Sequence, residues 1–403
     1  MEKIRYGIIG LGVQGRAYAG FLSGRQTHPD LPNPAGPQHA VLGAVCGRSG
    51  QAAECAARLF PGVPFYRDWR EMATSGRVDA VIVVTPHYSH PALTAGCLSM
   101  GIPVLCDKPA GVYAKAAQEV LSAAQKSGAA YGIMFNYRAS GLWQKVRSLV
   151  KSGELGEVRR SLWQLTDWWR PDCYYAQSPE RGTWGGEGGG VLLNQAVHQL
   201  DLWEWICGVP SRVWARAAFG AHRRITVEND VTLMTEYPGG ASGCFTTCTD
   251  VLVGTNRLEI DLSAGKIVVE GGRRATVLRY TKSEAEMNAA TGPDQLQRII
   301  SGKGLAAGTP LYTEEQFEEQ DGWGAQHVRM MENFALHLLK GTPLLAPGAE
   351  AWQPVELLNT ALMSAWQGGA GLKNPVDPDE YLAALNRRVE AERLEQRGRP
   401  PAF

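Results

Sequence analysis

The run Gly10-Leu11-Gly12-Val13-Gln14-Gly15 constrains this chain more than any other stretch. It directly follows the apolar, β-prone residues 4–9 and leads into the helix-compatible Arg16-Ala17-Tyr18-Ala19-Gly20-Phe21-Leu22. A strand, a tight glycine turn and a helix in that order predict a dinucleotide-binding βαβ unit. Gly10 permits the turn, Gly12 lets the backbone approach a pyrophosphate, and Gly15 allows close helix-to-strand packing. Val13 and Gln14 lie between them at the helix N-terminus, where main-chain N–H groups face an anion.

Residues 23–38 carry Pro29, Pro32, Pro34 and Pro37 and read as an irregular loop before a second strand at 40–46. A ribose-binding acid is expected at the end of that strand, yet the residues there are Cys46-Gly47-Arg48-Ser49. Arg48 and Ser49 suit a 2′-phosphate better than a bare hydroxyl, which favours NADP over NAD. The other reading, that Arg48 stacks on adenine in an NAD enzyme, stays open.

Buried strands at 79–84, 104–106 and 129–134 alternate with helices from about Pro91 and from Ala114 to Lys126, predicting a doubly wound parallel sheet. Beyond residue 137 the pattern changes to β-prone segments at 157–168, 211–219, 229–237, 241–249 and 256–270. One helix is expected at 190–206, and others at 325–340, 354–366 and 378–396. The fold class is therefore an α/β Rossmann domain (1–136) followed by an α+β domain on an open, mostly antiparallel sheet (137–403). A length of 403 residues suits two cores. Forty Lys and Arg balance forty Asp and Glu, which argues against a nucleic-acid partner. No apolar stretch approaches the roughly 18 residues of a membrane helix, and the N-terminus turns into glycines before a secretory core develops, so a cytoplasmic location is expected. Eight cysteines without a C-x-x-C pair predict reduced thiols and no metal site.

Ligands of open α/β sheets bind beyond the carboxyl ends of the strands. Three segments are expected there: Thr85-Pro86-His87-Tyr88-Ser89-His90, Asp107-Lys108-Pro109 and Asn136-Tyr137-Arg138. A lysine so placed can donate to a substrate hydroxyl and stabilise a developing alkoxide. Further on, Gly188-Gly189-Gly190 precedes the predicted helix on which Asn194, His198 and Asp201 share one face. His198 has the pKa of a general base, although a helical His near an Asp is also a common structural pair. Seven of the twelve tryptophans lie between 163 and 214. Trp168, Trp169 and Trp184, with Arg170 and Arg181 nearby, can form a platform for a sugar ring, or they can be core. Tyr174 and Tyr175 are further candidates, and either arginine can instead meet an anionic group.

Together these pieces resemble the Gfo/Idh/MocA oxidoreductase family over nearly the whole chain. They are the Gly10–Gly15 fingerprint, Thr85-Pro86 with His90, Asp107-Lys108-Pro109 where the family usually has Glu-Lys-Pro, Asn136-Tyr137-Arg138, and Gly188 to Asp201. The resemblance implies Lys108 as catalytic lysine and His198 as proton acceptor. It also implies a sugar, cyclitol or glycoside held between nicotinamide and the second sheet, and a homo-oligomer, dimer or tetramer, built on that sheet. Expected cofactor contacts are Gly10, Gly12, Val13, Gln14, Gly15, Arg48, Ser49, Thr85, Pro86, His90, Asp107, Lys108 and Asn136. Expected substrate contacts are Tyr137, Arg138, Trp168, Trp169, Arg170, Trp184, Asn194 and His198. Asn194 stands where the family frequently has Asp; it can still bond a hydroxyl, but it cannot raise the histidine's basicity by charge.

Three functions fit. The first is an NAD(P)-dependent dehydrogenase of a secondary alcohol. The second is a redox-neutral, NAD-dependent glycosidase, with Tyr137, Tyr174 or His90 as an extra acid–base group. The third is a non-catalytic dinucleotide sensor, against which the retention of both Lys108 and His198 argues.

Overall fold

The structure is a computed structural model that describes residues 2–30, 32–301 and 310–398. Its first part alternates β1 (Ile4–Ile9), α1 (Val13–Ser23), β2 (Ala40–Cys46), α2 (Gly50–Leu59), β3 (Phe65–Tyr66), α3 (Trp69–Thr74), β4 (Ala80–Val83), α4 (His90–Ser99), β5 (Val104–Cys106), α5 (Ala117–Ser127) and β6 (Tyr131–Ile133). The strands form one six-stranded sheet of order β3-β2-β1-β4-β5-β6, with every pair parallel. All residues of β4, β5 and β6 are buried, as expected of strands covered on both faces. The order reverses beside β1, so the crevice at the carboxyl ends of β1 and β4 is the topological switch point.

The second part comprises α6 (Gly141–Lys151), β7 (Val158–Leu165), α7 (Asp172–Tyr175), α8 (Val191–Asn194), α9 (Val197–Cys207), β8 (Arg212–Phe219), β9 (Glu228–Glu236), β10 (Ser242–Cys248), β11 (Asn256–Leu262), β12 (Gly265–Glu270) and β13 (Arg274–Tyr280). It continues with α10 (Glu284–Ala290), α11 (Pro293–Ile300), β14 (Tyr312–Glu318), α12 (Ala325–Lys340), α13 (Gln353–Trp366), β15 (Leu372–Lys373) and α14 (Pro378–Gly398). Nine strands make one sheet of order β14-β13-β12-β11-β7-β10-β9-β8-β15, antiparallel except where β10 runs parallel to β7. Residues alternate buried and exposed along β7 and β9, so one face is packed and the other is open. On the packed face, the rings of Trp163, Trp203 and Phe245 meet at centroid distances of 5.6–5.8 Å. That part of the tryptophan excess is core. Helix α12 returns to the first sheet, where the Tyr6 hydroxyl donates to the Met331 carbonyl oxygen at 2.9 Å.

Three expectations change. The helix expected at 190–206 is two pieces, because the Ala196 N–H reaches back five residues to the Val191 carbonyl (2.8 Å) and interrupts the regular turn. Asn194 therefore ends α8 while His198 and Asp201 lie on α9, rather than all three sharing one regular helix face. The single β-run at 256–270 is a hairpin, β11 and β12. Helix α6, unread in the sequence, buries Leu142, Trp143, Val146, Leu149 and Val150 at helical spacing, and Ser140 caps it by accepting from the Trp143 N–H.

Candidate active site

The glycine turn opens one end of a cleft of about 1950 Å³ that runs between the two sheets. Gly10 has φ = 108°, in the region that favours glycine, and a Cβ there would meet the Val84 carbonyl. At Gly15 a Cβ would collide with the Gly10 carbonyl oxygen, whereas at Gly12 it would meet nothing within 4 Å and project into open space. This cradle fits a dinucleotide pyrophosphate: Gly12, Val13 and Gln14 all line the cleft at the N-terminus of α1. At the far end of the cradle lie Arg48 and Ser49, joined by Arg67, Asp68 and Arg70 after β3. Ser49 caps α2 through its Oγ (3.1 Å from the Ala52 N–H), and Asp68 likewise caps α3.

At the ends of β4, β5 and β6, Thr85, Pro86, Asp107, Lys108, Asn136 and Tyr137 face the same cleft. The Tyr18 hydroxyl donates to Asp107 (2.8 Å), whose carboxyl is raised by burial. Lys108 donates from Nζ to the main-chain oxygen of Asn194 at 2.6 Å, so β5 and α8 meet through it. Burial lowers its pKa, and the charges of Asp107 and Glu187 oppose that shift. Across from it, burial holds His198 well below its usual pKa, and the Lys108 charge and His327 act in the same direction. The ring rests against Tyr137 (5.2 Å between centroids), and its buried Nδ1 has no hydrogen-bond partner among the described residues. A neutral imidazole that lines the same cleft as an ammonium can accept a proton from a hydroxyl that the ammonium polarises.

Trp168 and Arg170 line the opposite wall, with the Arg170 guanidinium 5.2 Å from the Trp168 ring and 5.1 Å from that of Tyr174, which also lines the cleft. Asn194 faces the cleft too.

Five expected contacts do not line the cleft; one is Gly15, packed against the Gly10 carbonyl, and four lie further off. His90 is buried beneath the site, its ring nitrogens 2.7 Å from the Pro109 carbonyl oxygen and 2.6 Å from that of Thr85; it braces two loops instead of meeting the cofactor. Arg138 is 1% exposed and forms a fork with Asp201 (2.9 and 2.6 Å) and an ion pair with Glu350, so it anchors α9 and does not reach substrate. Burial alone would lower its pKa, but the two carboxylates raise it. Trp184 is core, packed on Trp366 and Phe219. Trp169 is exposed outside the cleft walls. Of the two tyrosines, Tyr175 is occupied with Thr249 (3.0 Å).

The structure also brings in residues that were not singled out. His327 arrives on α12, and Arg67 and Arg70 follow a two-residue strand too short to show a pattern. Glu187, the carboxylate just before the glycine run, accepts from Asn194 Nδ2 at 2.8 Å.

A Rossmann cradle that opens onto a lysine and a neutral histidine, backed by an open-faced sheet, is the layout of a nicotinamide-dependent oxidoreductase. Residues 4–135 match the family described as "Oxidoreductase family, NAD-binding Rossmann fold", and residues 143–268 match the GFO/IDH/MocA C-terminal domain. The chain belongs to the GFO/IDH/MocA family of oxidoreductases. Among its relatives, trans-1,2-dihydrobenzene-1,2-diol dehydrogenase of Mus musculus is 27% identical over 60% of this chain and 68% of its own length. The rhizopine catabolism protein MocA of Rhizobium meliloti is 26% identical over 36% of this chain and 44% of its own. The fold is shared with the WlbA dehydrogenase of Bordetella pertussis, solved with NADH and UDP-GlcNAcA (TM-score 0.72, 21% identity, 93% of this chain and all of that one). It is shared also with levoglucosan dehydrogenase in complex with NADH (TM-score 0.74, 18% identity, 93% of this chain and all of that one). No helix among the described residues is long and apolar enough to cross a membrane.

Proposed function

We propose that this protein oxidises a secondary alcohol of a carbohydrate-like molecule (a sugar, cyclitol or glycoside) to the ketone, or runs the reverse reduction. The observation that carries this reading is that Lys108 and a neutral His198 line one cleft continuous with the glycine cradle. When bound, the nicotinamide supplies the hydride acceptor. The Lys108 ammonium donates to the reacting oxygen and stabilises its developing negative charge. His198 takes the hydroxyl proton as the carbonyl forms, and gives it back in the reverse direction. Trp168 presents an aromatic face to the ring, and Asn194 meets a neighbouring hydroxyl. The relatives support this class: two are diol and levoglucosan dehydrogenases, and WlbA was solved with a nucleotide sugar.

For the cofactor we favour NADP. Arg48, Arg67 and Arg70 surround the end of the cradle where the ribose is expected, and Asp68 there is engaged as a helix cap. The assembly is a homo-oligomer built on the open sheet face. Strand register aligns Trp214, Met234, Cys244 and Leu162 in one row across β8, β9, β10 and β7, with Met234 59% exposed.

The experiment is to incubate the purified protein with NAD⁺ or NADP⁺ and a panel of sugars, cyclitols and aryl glycosides, following nicotinamide absorbance and aglycone release together. Net reduction of the cofactor is expected. Aglycone release with no net reduction would replace this reading with the redox-neutral glycosidase.

A further inference from the structure

Glu187 sits in the site without a part in the steps above. Its side chain is 13% exposed, on the loop before α8, and both oxygens are committed. Oε1 accepts from Asn194 Nδ2 at 2.8 Å, and Oε2 accepts from the Gly182 N–H at 2.7 Å. The Arg181 guanidinium lies 3.8 Å from Oε1, and the Glu187 main-chain oxygen is 3.1 Å from His87 Nδ1. An ionised carboxylate only accepts hydrogen bonds, whereas an amide both donates and accepts. The carboxylate therefore holds the amino group of Asn194 and turns Oδ1 the other way. The same Asn194 takes the Lys108 ammonium on its main-chain oxygen, so Glu187, Asn194 and Lys108 form one connected unit.

We propose that Glu187 is a positioning residue for this reaction: its carboxylate holds the Asn194 amide so that Oδ1 is presented to a ligand hydroxyl and, through Asn194, places a negative charge near the Lys108 ammonium. The charge balance at Lys108 supports this. Asp107 and Glu187 are the anions acting on it, and Arg181 and Arg170 are the opposing cations. His87, His198 and His327 also feel the lysine, and all three are held toward the neutral form, first by burial. Those three rings add no negative charge, and Asp107 and Glu187 are the carboxylates that favour the ammonium. The proposal rests on Lys108 acting as the donor to the reacting oxygen.

The test reads Lys108 directly, in protein without added substrate. Trace acetylation followed by peptide mass spectrometry gives the pH midpoint at which the Lys108 amine becomes reactive. In Glu187→Gln, which removes the charge and leaves one acceptor oxygen for the two donors Asn194 Nδ2 and Gly182 N–H, the midpoint is expected to fall by about one pH unit. In Glu187→Asp, which keeps the charge, it is expected to stay within about 0.3 units of the parent. The alkaline limb of kcat is expected to move with it. An unmoved Lys108 midpoint in Glu187→Gln, or an equal displacement in Glu187→Asp, overturns the proposal. If the midpoint moves as expected but turnover survives Lys108→Met, the role of Glu187 at Lys108 stands and the assignment of Lys108 to the reaction fails.

Discussion

Lys108 and Asn194 are joined by a 2.6 Å hydrogen bond from the lysine ammonium to a main-chain carbonyl, which ties the loop after β5 to the end of α8. The ammonium has three donors and spends one on this tether, so its position is set before any ligand arrives. Lys108→Met is expected to lower kcat by about 10²–10⁴. Nucleotide affinity, measured by fluorescence titration, is expected to change by less than about threefold, since the loss falls on the transition state.

The pH profile follows from the direction of two shifts. His198 must be neutral to accept a proton, and its pKa lies well below the ordinary 6.5, so acid inhibition is expected only well below that pH. Lys108 must be charged to stabilise the alkoxide, and its pKa lies below the ordinary 10.5, so activity is expected to fall on an alkaline limb below that value. The kcat/KM profile between these limits checks both, and a loss of activity centred near 6.5 on the acid side would contradict the neutral histidine.

Arg138 and Asp201 test architecture instead of chemistry. Truncating one member of a buried ion pair leaves an uncompensated charge, which costs about 3–5 kcal/mol. Arg138→Ala is therefore expected to lower stability by that order in urea denaturation, while the folded fraction keeps its nucleotide affinity.

Arg48 decides the cofactor. A hydrogen bond to a charged group contributes about 1.5–3 kcal/mol, so Arg48→Ala is expected to weaken NADP⁺ binding by roughly tenfold or more. NAD⁺ binding, which lacks the 2′-phosphate, is expected to change by less than about threefold; equal losses for both would assign Arg48 to adenine stacking.

The row Trp214, Met234, Cys244 and Leu162 predicts that Met234→Arg shifts the protein to a smaller species in light scattering coupled to gel filtration. A buried, unpaired charge in an apolar contact is strongly unfavourable. An unchanged mass would remove this face from the assembly.

Much of the site was legible in the sequence because it depends on local geometry. Gly10 and Gly15 are required by one turn, Gly12 leaves the cradle clear, and Thr85, Lys108 and Asn136 come just after the ends of apolar strands, where the sheet topology puts ligands. His198 was legible only jointly with those segments. The break between α8 and α9 was not, since a five-residue hydrogen bond leaves no trace in the hydrophobic period. Nor could a single sequence tell Trp168, which lines the cleft, from Trp184, which is core, because both sit among polar and glycine residues.

The sequence by itself determined the class of fold, the cradle and the lysine, since each is written in contiguous residues whose backbone demands are local. Tertiary structure alone decided the rest of the site. Packing withdrew His90 and Arg138 from the ligand by giving them buried partners, and it brought His327, Arg67 and Glu187 to the cleft from α12, the turn after β3 and the loop before α8. The physical reason is that burial and charge pairing are properties of neighbours in space, and neighbours far apart in the chain are chosen only when the two sheets close on one cleft.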